Sequence, residues 1–514
     1  MPFSPTAFGP DAEPLIHDVS GSKWVPFLEH ECSFNPDIFD QVMMNLVRNP
    51  NLNTPWLFRA DILYDSRSEA VEVEATVEPS GDGHGTHHDE SHTAAVPRVA
   101  EFRDFEMERT LVRRMMPRNT RRDAPLDQTC IFLRHRSPDQ PQKTRSLIVY
   151  LPHESSIEHM PFYHPKVRGV AHLHEWDADT NQGRISVHYW LFEDSPVSER
   201  LERTALMLLS VLHKHGHGRL AGYTKRVQHD VIVNQVRVQD RYLALKLKYA
   251  KDLVDTWAET TDPEKHVFED LGIAAFLIEL WSDMYGANKD KYSRFPGFVD
   301  IGCGNGLLVH ILLHEGYSGW GFDARARKSW AAYGKTLSPD QPEPLQRLVL
   351  LPTLASPAIP SSTSGDDGAG MDPTLFHDGN FPKGTFIISN HADELTPWTP
   401  ILATLSESPF IMIPCCSHDL GGAKFRAPPP RDKSKSKSAY SSLVDWVARI
   451  AEDCGWKVET EMLRIPSTRN CALLGRTRTT PAASVDVQHV VEKYGGTHNY
   501  FENAIRLTET ETGH

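Results

Sequence analysis

Two different patterns of apolar residues divide the chain near residue 230. Before that point, segments 146–153 and 184–194 are rich in β-branched and aromatic residues and predict strands. Leucines at helical spacing predict a helix over residues 198–218, which closes on histidine and glycine. We therefore expect an N-terminal α+β domain over residues 1–238.

The second pattern begins with two predicted helices, 239–257 and 266–286, the latter with an apolar stripe. From residue 298 onward, strand-length apolar runs alternate with helical patterns. The predicted strands lie in FVDIGCGNG, SGWGFDAR, RLVLLPTL, TFIISNH and PFIMIPCC, and a closing strand pair that includes CALLGR follows the helix SSLVDWVARIAEDCGW. This alternation predicts an α/β fold with a doubly wound, Rossmann-like parallel sheet over residues 239–514.

Three polar segments interrupt these patterns and are interpreted as insertions. Residues 75–97 are poor in apolar side chains and predict disorder, and 356–373 has the same character. Residues 426–438 form a proline and lysine-serine loop, which we expect to be disordered from about 433. The first insertion is rich in histidine, but no apolar surroundings would fix a ligand geometry, so we interpret it as a solvated loop and predict no metal site.

Composition narrows the function classes. The chain has 514 residues with 39% hydrophobic content, and no apolar run is long enough to predict a membrane span. Its N-terminus lacks the features of a signal or transit peptide. Seven cysteines without a CxxC pair indicate a reducing compartment. The net charge of −14 argues against a nucleic-acid partner, but arginines crowd into 113–122, and two further basic groups lie in 426–437 and 464–478.

The richest chemical signal is the loop after the strand that begins at Phe298. Its glycines follow the spacing GxGxG rather than the GxGxxG of dinucleotide-binding proteins. Asp300 precedes them, and a carboxylate there suits the positive charges of S-adenosylmethionine better than a pyrophosphate. Asp323 ends the next strand, 19 residues after Gly304. A carboxylate at that point can accept hydrogen bonds from two ribose hydroxyls at once. The predicted cofactor contacts are Asp300, Gly302, Cys303, Gly304, Asn305, Gly306, Asp323 and Asn390.

Candidate catalytic residues follow the fourth predicted strand, in SNHADELTPW. Asp393 is our first choice as the base that removes a proton from the acceptor, with His391 next and Glu394 third. Glu394 could equally be a first-turn helix acid, and Trp398 could lie in the core or beneath a base. Cys415 or Cys416 could be a nucleophile, although adjacent cysteines after an apolar strand more often pack in a core.

Several long segments resemble one family, and they lie between residues 240 and 480: TDPEKHVFEDLGIAAFLIELW, FVDIGCGNGLLVHILLHEGYSGWGFDARARKSW, SNHADELTPW, IPCCSHDLGGAKF and LRIPSTRNCALLGR. DxGxGxG resembles the class I methyltransferase pattern, and the whole set resembles the eukaryotic tRNA uridine-44 2′-O-methyltransferases. The resemblance implies cytoplasmic, S-adenosylmethionine-dependent methylation of a ribose 2′-hydroxyl in serine tRNA. No obligate protein partner is evident.

An RNA substrate would need cationic contacts. Arg464, Ser467 and Arg469 combine cations with hydroxyl donors, and Lys424 is a further candidate; residues 113–122 offer a second surface. The lysine-centred tetrad of many ribose methyltransferases is not found by spacing. Alternative functions are another RNA or protein methyltransferase, a non-catalytic tRNA-binding subunit, and a nicotinamide oxidoreductase.

Overall fold

The fold was analysed in a computed structural model. It describes residues 3–9, 11–67, 96–120, 122–193, 198–223, 229–286, 294–334, 342–355 and 372–509. The chain divides into two units, residues 1–225 and 226–514. Residues 226–238, which the sequence assigned to the N-terminal domain, lie in the second unit, because Val233 and the helix that begins at Gln235 pack into its core.

The first unit is an eight-stranded antiparallel sheet with two helices. Its strands are β1 (Thr6–Ala7), β2 (Trp24–Cys32), β3 (Leu57–Asp65), β4 (Glu106–Pro117), β5 (Leu126–Arg136), β6 (Lys143–Pro152), β7 (Gly169–Asp177) and β8 (Gln182–Trp190). They are ordered β1-β2-β8-β7-β6-β5-β4-β3. The strands predicted at 146–153 and 184–194 are confirmed as parts of β6 and β8.

Helices α1 (Pro36–Arg48) and α2 (Glu199–Leu220) cover one face of this sheet. Each begins at a side-chain cap: Asn35 accepts from the Ile38 amide and Ser198 from the Leu201 amide. The apolar side chains between helices and sheet form one core, and a second cluster around Trp24 covers the opposite face. The predicted helix over 198–218 is confirmed as α2.

The second unit begins with α3 (Gln235–Asp255) and α4 (Pro263–Tyr285). A seven-stranded sheet follows, in the order β11-β10-β9-β14-β15-β17-β16. Its strands are β9 (Phe298–Ile301), β10 (Gly319–Asp323), β11 (Leu345–Arg347), β14 (Phe386–Asn390), β15 (Phe410–Ile413), β16 (Trp456–Met462) and β17 (Cys471–Arg478). β17 runs antiparallel to both of its neighbours, β15 and β16, and all other neighbouring strands are parallel. The predicted doubly wound sheet and closing strand pair are therefore confirmed.

Helices pack on both faces of this sheet. The core on one face contains α4 and α5 (Leu307–His314), and the core on the other contains α7 (Thr399–Leu405), α8 (Ala439–Asp453), α9 (Val487–Lys493) and α10 (Tyr500–Glu509). A one-turn helix, α6 (Trp330–Tyr333), precedes β11. Connections from β9 lead to β10 and β11 on one side and later to β14 and β15 on the other. The sheet therefore has its topological switch point between β9 and β14, where ligands of such folds bind.

Two sequence expectations need correction in the second unit. RLVLLPTL is not one strand: the sheet edge β11 ends at Arg347, and Val349–Leu350 form β12, which pairs with β13 (Phe376–His377) in a separate two-stranded sheet. The 426–438 segment has a defined path without helix or strand, and Arg431 pairs with Glu452 in α8. The insertions predicted at 75–97 and 356–373 fall almost entirely outside the described residues.

Candidate functional site

The glycine loop joins β9 to α5 at the switch point. Its three glycines all have positive φ, +70° at Gly302, +53° at Gly304 and +76° at Gly306. The Gly302 and Cys303 amides both donate to the Phe322 carbonyl of β10, at 2.8 and 3.0 Å. These bonds hold the loop against the neighbouring strand, so its position is fixed without a ligand.

A cavity of about 580 Å³ opens beside this loop. Six residues predicted from the sequence line it: Gly302, Gly304, Asp323, His391, Asp393 and Glu394. The rest of the lining was not predicted from the sequence, and it includes Arg325 and Arg327 after β10 and Tyr500, Asn503, Arg506 and Leu507 of α10. The amphipathic pattern of the C-terminal segment would have predicted a helix there, but not that it covers the cavity.

Asp323 lies at the end of β10, as its position in the sequence predicted. One of its carboxylate oxygens accepts from the Gly304 amide at 3.0 Å and the other from the Arg325 amide at 3.1 Å. A carboxylate has about four acceptor positions, so two remain for a ligand. The carboxylate is thus held in place by the glycine loop while it can still bind a pair of hydroxyls.

Asp300 is buried at the end of β9, and its Oδ1 atom has no hydrogen-bond partner among the described residues. Burial raises the pKa of this carboxyl well above its usual range, and the nearby Asp270 and Asp323 raise it further. A buried acceptor that lacks a partner and a counter-ion favours a cationic ligand. The buried carboxyl group of Asp300 therefore suits the positively charged ammonium and sulfonium groups of S-adenosylmethionine.

Two functional candidates were missed by sequence reasoning: Glu269 and Asp270 of α4, both largely buried. The Asn390 amide donates to Asp270 at 3.3 Å, and His391 Nε2 lies 2.9 Å from Glu269 Oε1. Burial, and next the charge of Glu269, raise the pKa of Asp270 to about 8. Adjacent acids inside an otherwise apolar helix were the available signal, because acids are rarely buried without a role.

The loop after β14 carries the candidate catalytic side chains, and two of these residues have left-handed backbone conformations. His391 and Asp393 both have positive φ, +52° and +43°, a conformation that costs non-glycine residues of the order of 1–3 kcal/mol and is common at functional sites. His391 is oriented by Glu269, and its Nδ1 atom has no partner among the described residues. Burial raises the pKa of Glu394, and Asp393 accepts a hydrogen bond from the Cys415 thiol at 3.0 Å.

The cysteine alternative is disfavoured by this contact. Burial raises the pKa of the Cys415 thiol, and the carboxylate of Asp393 raises it further, as it does for Cys416. A nucleophilic cysteine needs the opposite environment, one that stabilises the thiolate. Of the two alternatives for Trp398, the core position is the one found, because the side chain is fully buried and its indole donates to the Leu420 carbonyl.

Three of the predicted cofactor contacts, Asp300, Gly306 and Asn390, do not line the cavity, and the remaining predicted contacts also lie outside its lining. The Cys303 side chain is buried in the core beside α5, and Asn305 accepts from the Leu307 amide at 2.9 Å, so both support the loop through their side chains. Arg464 is engaged in an ion pair with Asp230. Arg469 lies over the Tyr440 ring, and its amide donates to the Ser467 hydroxyl. Lys424 is exposed in the loop after β15.

Comparison with known proteins agrees with both units. Residues 4–226 match the model of a TRM44-like, N-terminal bet v1-like domain, and residues 232–342 match that of a predicted AdoMet-dependent methyltransferase. The second match covers the glycine loop, Asp323 and the acidic pair of α4. S-adenosylmethionine is therefore the methyl donor of this enzyme, as the loop predicted, and the nicotinamide alternative is excluded.

Three relatives extend this similarity to the whole chain. The tRNA (uracil-O(2)-)-methyltransferase of Neurospora crassa is 52% identical, over 99% of this chain and 98% of its own length. Proteins of the same name from Schizosaccharomyces pombe and Saccharomyces cerevisiae are 40% and 38% identical, each over 96% of this chain and 94% of the relative. The chain belongs to the tRNA (uracil-O(2)-)-methyltransferase family.

Proposed function

We propose that this protein methylates the ribose 2′-hydroxyl of uridine 44 in serine tRNA. The names of its relatives support a uridine 2′-hydroxyl of tRNA as the acceptor. The position and the isoacceptor rest on the resemblance of SNHADELTPW, IPCCSHDLGGAKF and LRIPSTRNCALLGR to the uridine-44 enzymes. The observation that carries the proposal is that the glycine loop, Asp323 and a histidine oriented by Glu269 meet at one edge of the sheet.

Residues that line the cavity, together with the buried Asp300 of β9, would hold the donor. Asp323 would bind the ribose hydroxyls, and the unpartnered Asp300 would accept from the ammonium group. Gly304 would allow the backbone to approach without a side chain in between. When bound, S-adenosylmethionine supplies a methyl group on a positively charged sulfur. Three acids of the lining, Asp323, Asp393 and Glu394, would stabilise that charge.

Removal of the acceptor proton falls to the loop after β14. A ribose hydroxyl is a weak acid, so a base positioned at its oxygen would contribute about 10²- to 10⁴-fold to the rate. Glu269 accepts from His391 Nε2, which leaves Nδ1 as the basic nitrogen of the ring. Asp393, the first choice from the sequence, shares its carboxylate with the Cys415 thiol. We therefore place His391 first as the base, with Glu269 orienting it, and Asp393 second.

A cytoplasmic location is part of the same proposal. All seven cysteines are free thiols in the structure, which suits a reducing compartment. None of the described helices combines the length and apolar character needed to cross a bilayer.

The test uses serine tRNA assembled with a single 2′-deoxyuridine at position 44. This substitution removes one oxygen atom and leaves the base unchanged. Labelled S-adenosylmethionine should transfer its methyl group to the normal tRNA and not to the deoxy form. A second tRNA with deoxyuridine at a different loop position is the matched control and should be methylated normally. Equal labelling of both deoxy forms would refute the assignment of the acceptor.

A further inference from the structure

The first unit carries a cluster of exposed arginines and aromatic rings at one end of its sheet. Trp56 precedes β3, Phe162 lies in the loop between β6 and β7, and both are nearly half exposed, at 46% and 45%. Their rings are 5.8 Å apart and perpendicular. Three arginines complete the cluster, which we name the arginine–aromatic patch: Arg118, Arg122 and Arg200, together with Trp56 and Phe162.

The guanidinium groups lie against the rings. Arg122 is 5.4 Å from the Trp56 ring and 5.2 Å from the Phe162 ring, and Arg200 is 4.2 Å from Phe162. Arg118 lies 5.7 Å from the Phe58 ring, and its amide donates to the Trp56 carbonyl at 2.9 Å. These contacts present flat cationic and aromatic surfaces together at one place.

The structure separates this patch from the other arginines of the 113–122 group. Arg113 is buried and donates to the Leu46 and Val47 carbonyls at the end of α1. Arg114 pairs with Asp127. Both therefore have structural partners within the unit, while Arg121 lies outside the described residues. The two that remain, Arg118 and Arg122, are those that join the patch.

None of the three patch arginines forms an ion pair with a carboxylate in the part of the chain that the structure describes. Other exposed arginines of the unit do, such as Arg184 with Glu29 and Arg203 with Glu199.

In a chain of net charge −14, three neighbouring unpaired cations are unusual. Arg118 donates to the Leu57 carbonyl and Arg200 to the Phe162 carbonyl, but these neutral acceptors leave the positive charges unneutralised. The charges are therefore available for an anionic partner, and the rings beside them are available for stacking.

We propose that the arginine–aromatic patch binds the RNA substrate, with Arg118, Arg122 and Arg200 contacting phosphates and Trp56 stacking on an unpaired base. RNA is the partner that combines both features, since proteins recognise its loops by stacking bases on aromatic rings and arginine planes. An acidic protein surface would use the arginines but would leave the stacking surfaces unused. This inference rests on the proposed function, because it takes tRNA as the RNA.

The test measures binding of full-length protein to a serine tRNA transcript over a series of salt concentrations. Each phosphate contact contributes about 0.7 to 0.9 to the slope of log K against log salt. The variant R118Q/R122Q/R200Q should therefore lower the magnitude of that slope by about 2.1 to 2.7. Between 50 and 200 mM salt, the loss of affinity should then be roughly 20- to 40-fold smaller than in the wild type. Trp56→Ala should weaken binding roughly tenfold while it keeps the slope.

The matched control is R136Q/R184Q/R203Q, which removes the same charge from exposed arginines that have carboxylate partners. Its slope should equal that of the wild type. An equal fall in both triple variants would overturn the proposal, because net charge alone would then explain it. An unchanged slope in the patch variant, or no measurable tRNA binding by the wild type, would also overturn it.

The same preparations are assayed for 2′-O-methyluridine, which separates this proposal from the proposed function. If the wild type forms the nucleoside and the patch variant binds tRNA as tightly as the wild type, the proposed role of the patch is wrong and the proposed function stands. Wild-type protein that binds tRNA but forms no 2′-O-methyluridine would remove the function, and the salt slopes would still decide the patch.

Discussion

Alanine substitutions at two glycines of the same loop should affect protein stability and cofactor affinity in opposite order. At Gly304 an added Cβ would meet nothing within 4 Å, and the residue lines the cavity. At Gly306 it would overlap Leu345 Cδ1 and lie 2.9 Å from Leu345 Cδ2, and Leu345 is buried. Both residues have positive φ, which costs an alanine of the order of 1–2 kcal/mol.

The free energy of unfolding should therefore fall by about 1–2 kcal/mol in Gly304→Ala, from the backbone alone. In Gly306→Ala the overlap adds about 1–3 kcal/mol of overpacking, for a total of about 2–5 kcal/mol. The affinity for S-adenosylmethionine should show the reverse order. Gly304→Ala places a methyl group in the cavity and should weaken binding about tenfold or more, that is by at least ~1.4 kcal/mol.

Chemical denaturation of the free proteins and calorimetric titration of S-adenosylmethionine measure the two quantities separately. Gly496→Ala is a suitable control for the backbone term, because its φ is +72°, an added Cβ would meet nothing within 4 Å, and the residue does not line the cavity. The reasoning is refuted if Gly304→Ala binds the cofactor like the wild type, or if it destabilises the protein as much as Gly306→Ala.

Three further predictions concern buried charged groups. Glu269→Gln should lower kcat at least tenfold with little effect on the KM for S-adenosylmethionine, because it replaces the carboxylate that orients the His391 ring with a neutral amide; an unchanged kcat would contradict the pairing. Because the pKa of Asp270 is raised, the folded state keeps a proton that the unfolded state loses above about pH 4. The free energy of unfolding should therefore fall as the pH rises toward about 8. Asp270→Asn should reduce this fall, as measured by denaturation curves at pH 5 and 8. Arg113→Met should lower the free energy of unfolding by about 2–5 kcal/mol, since it leaves buried carbonyls without a donor. Arg114→Met should lower it by less than about 1 kcal/mol, because its ion pair is partly exposed. Equal losses would contradict the difference in burial.

The strand-helix alternation after residue 298 could be predicted because each element has its own period and the glycine loop marks the switch point. The error at RLVLLPTL has a simple cause: an unbroken apolar run does not show where one short strand ends and another begins. Within the 113–122 arginine group, the position of each residue in strand β4 determines whether its side chain is buried, because alternate residues face opposite sides of a sheet. Arg113 points into the core and Arg114 does not, which a count of charges could not show.

The acidic pair of α4 could not have been assigned to the site from the sequence. Glu269 and His391 are 122 residues apart, and only the packing of α4 beside the sheet brings them to 2.9 Å. By contrast, Asp300, Gly304 and Asp323 are local to the first two strands of the sheet, so their meeting follows from the parallel arrangement of β9 and β10. Local motifs were sufficient to predict the cofactor, but they could not show that Glu269 lies beside His391.

The most direct test of the central claim is nucleoside analysis by mass spectrometry of tRNA lacking the modification, after incubation with the protein and labelled S-adenosylmethionine. Asp300→Asn serves as the control, because it removes the buried carboxylate and keeps its shape. We expect label in 2′-O-methyluridine with the wild type and its loss in the control. Label in a base-methylated nucleoside, or equal label in both proteins, would contradict it.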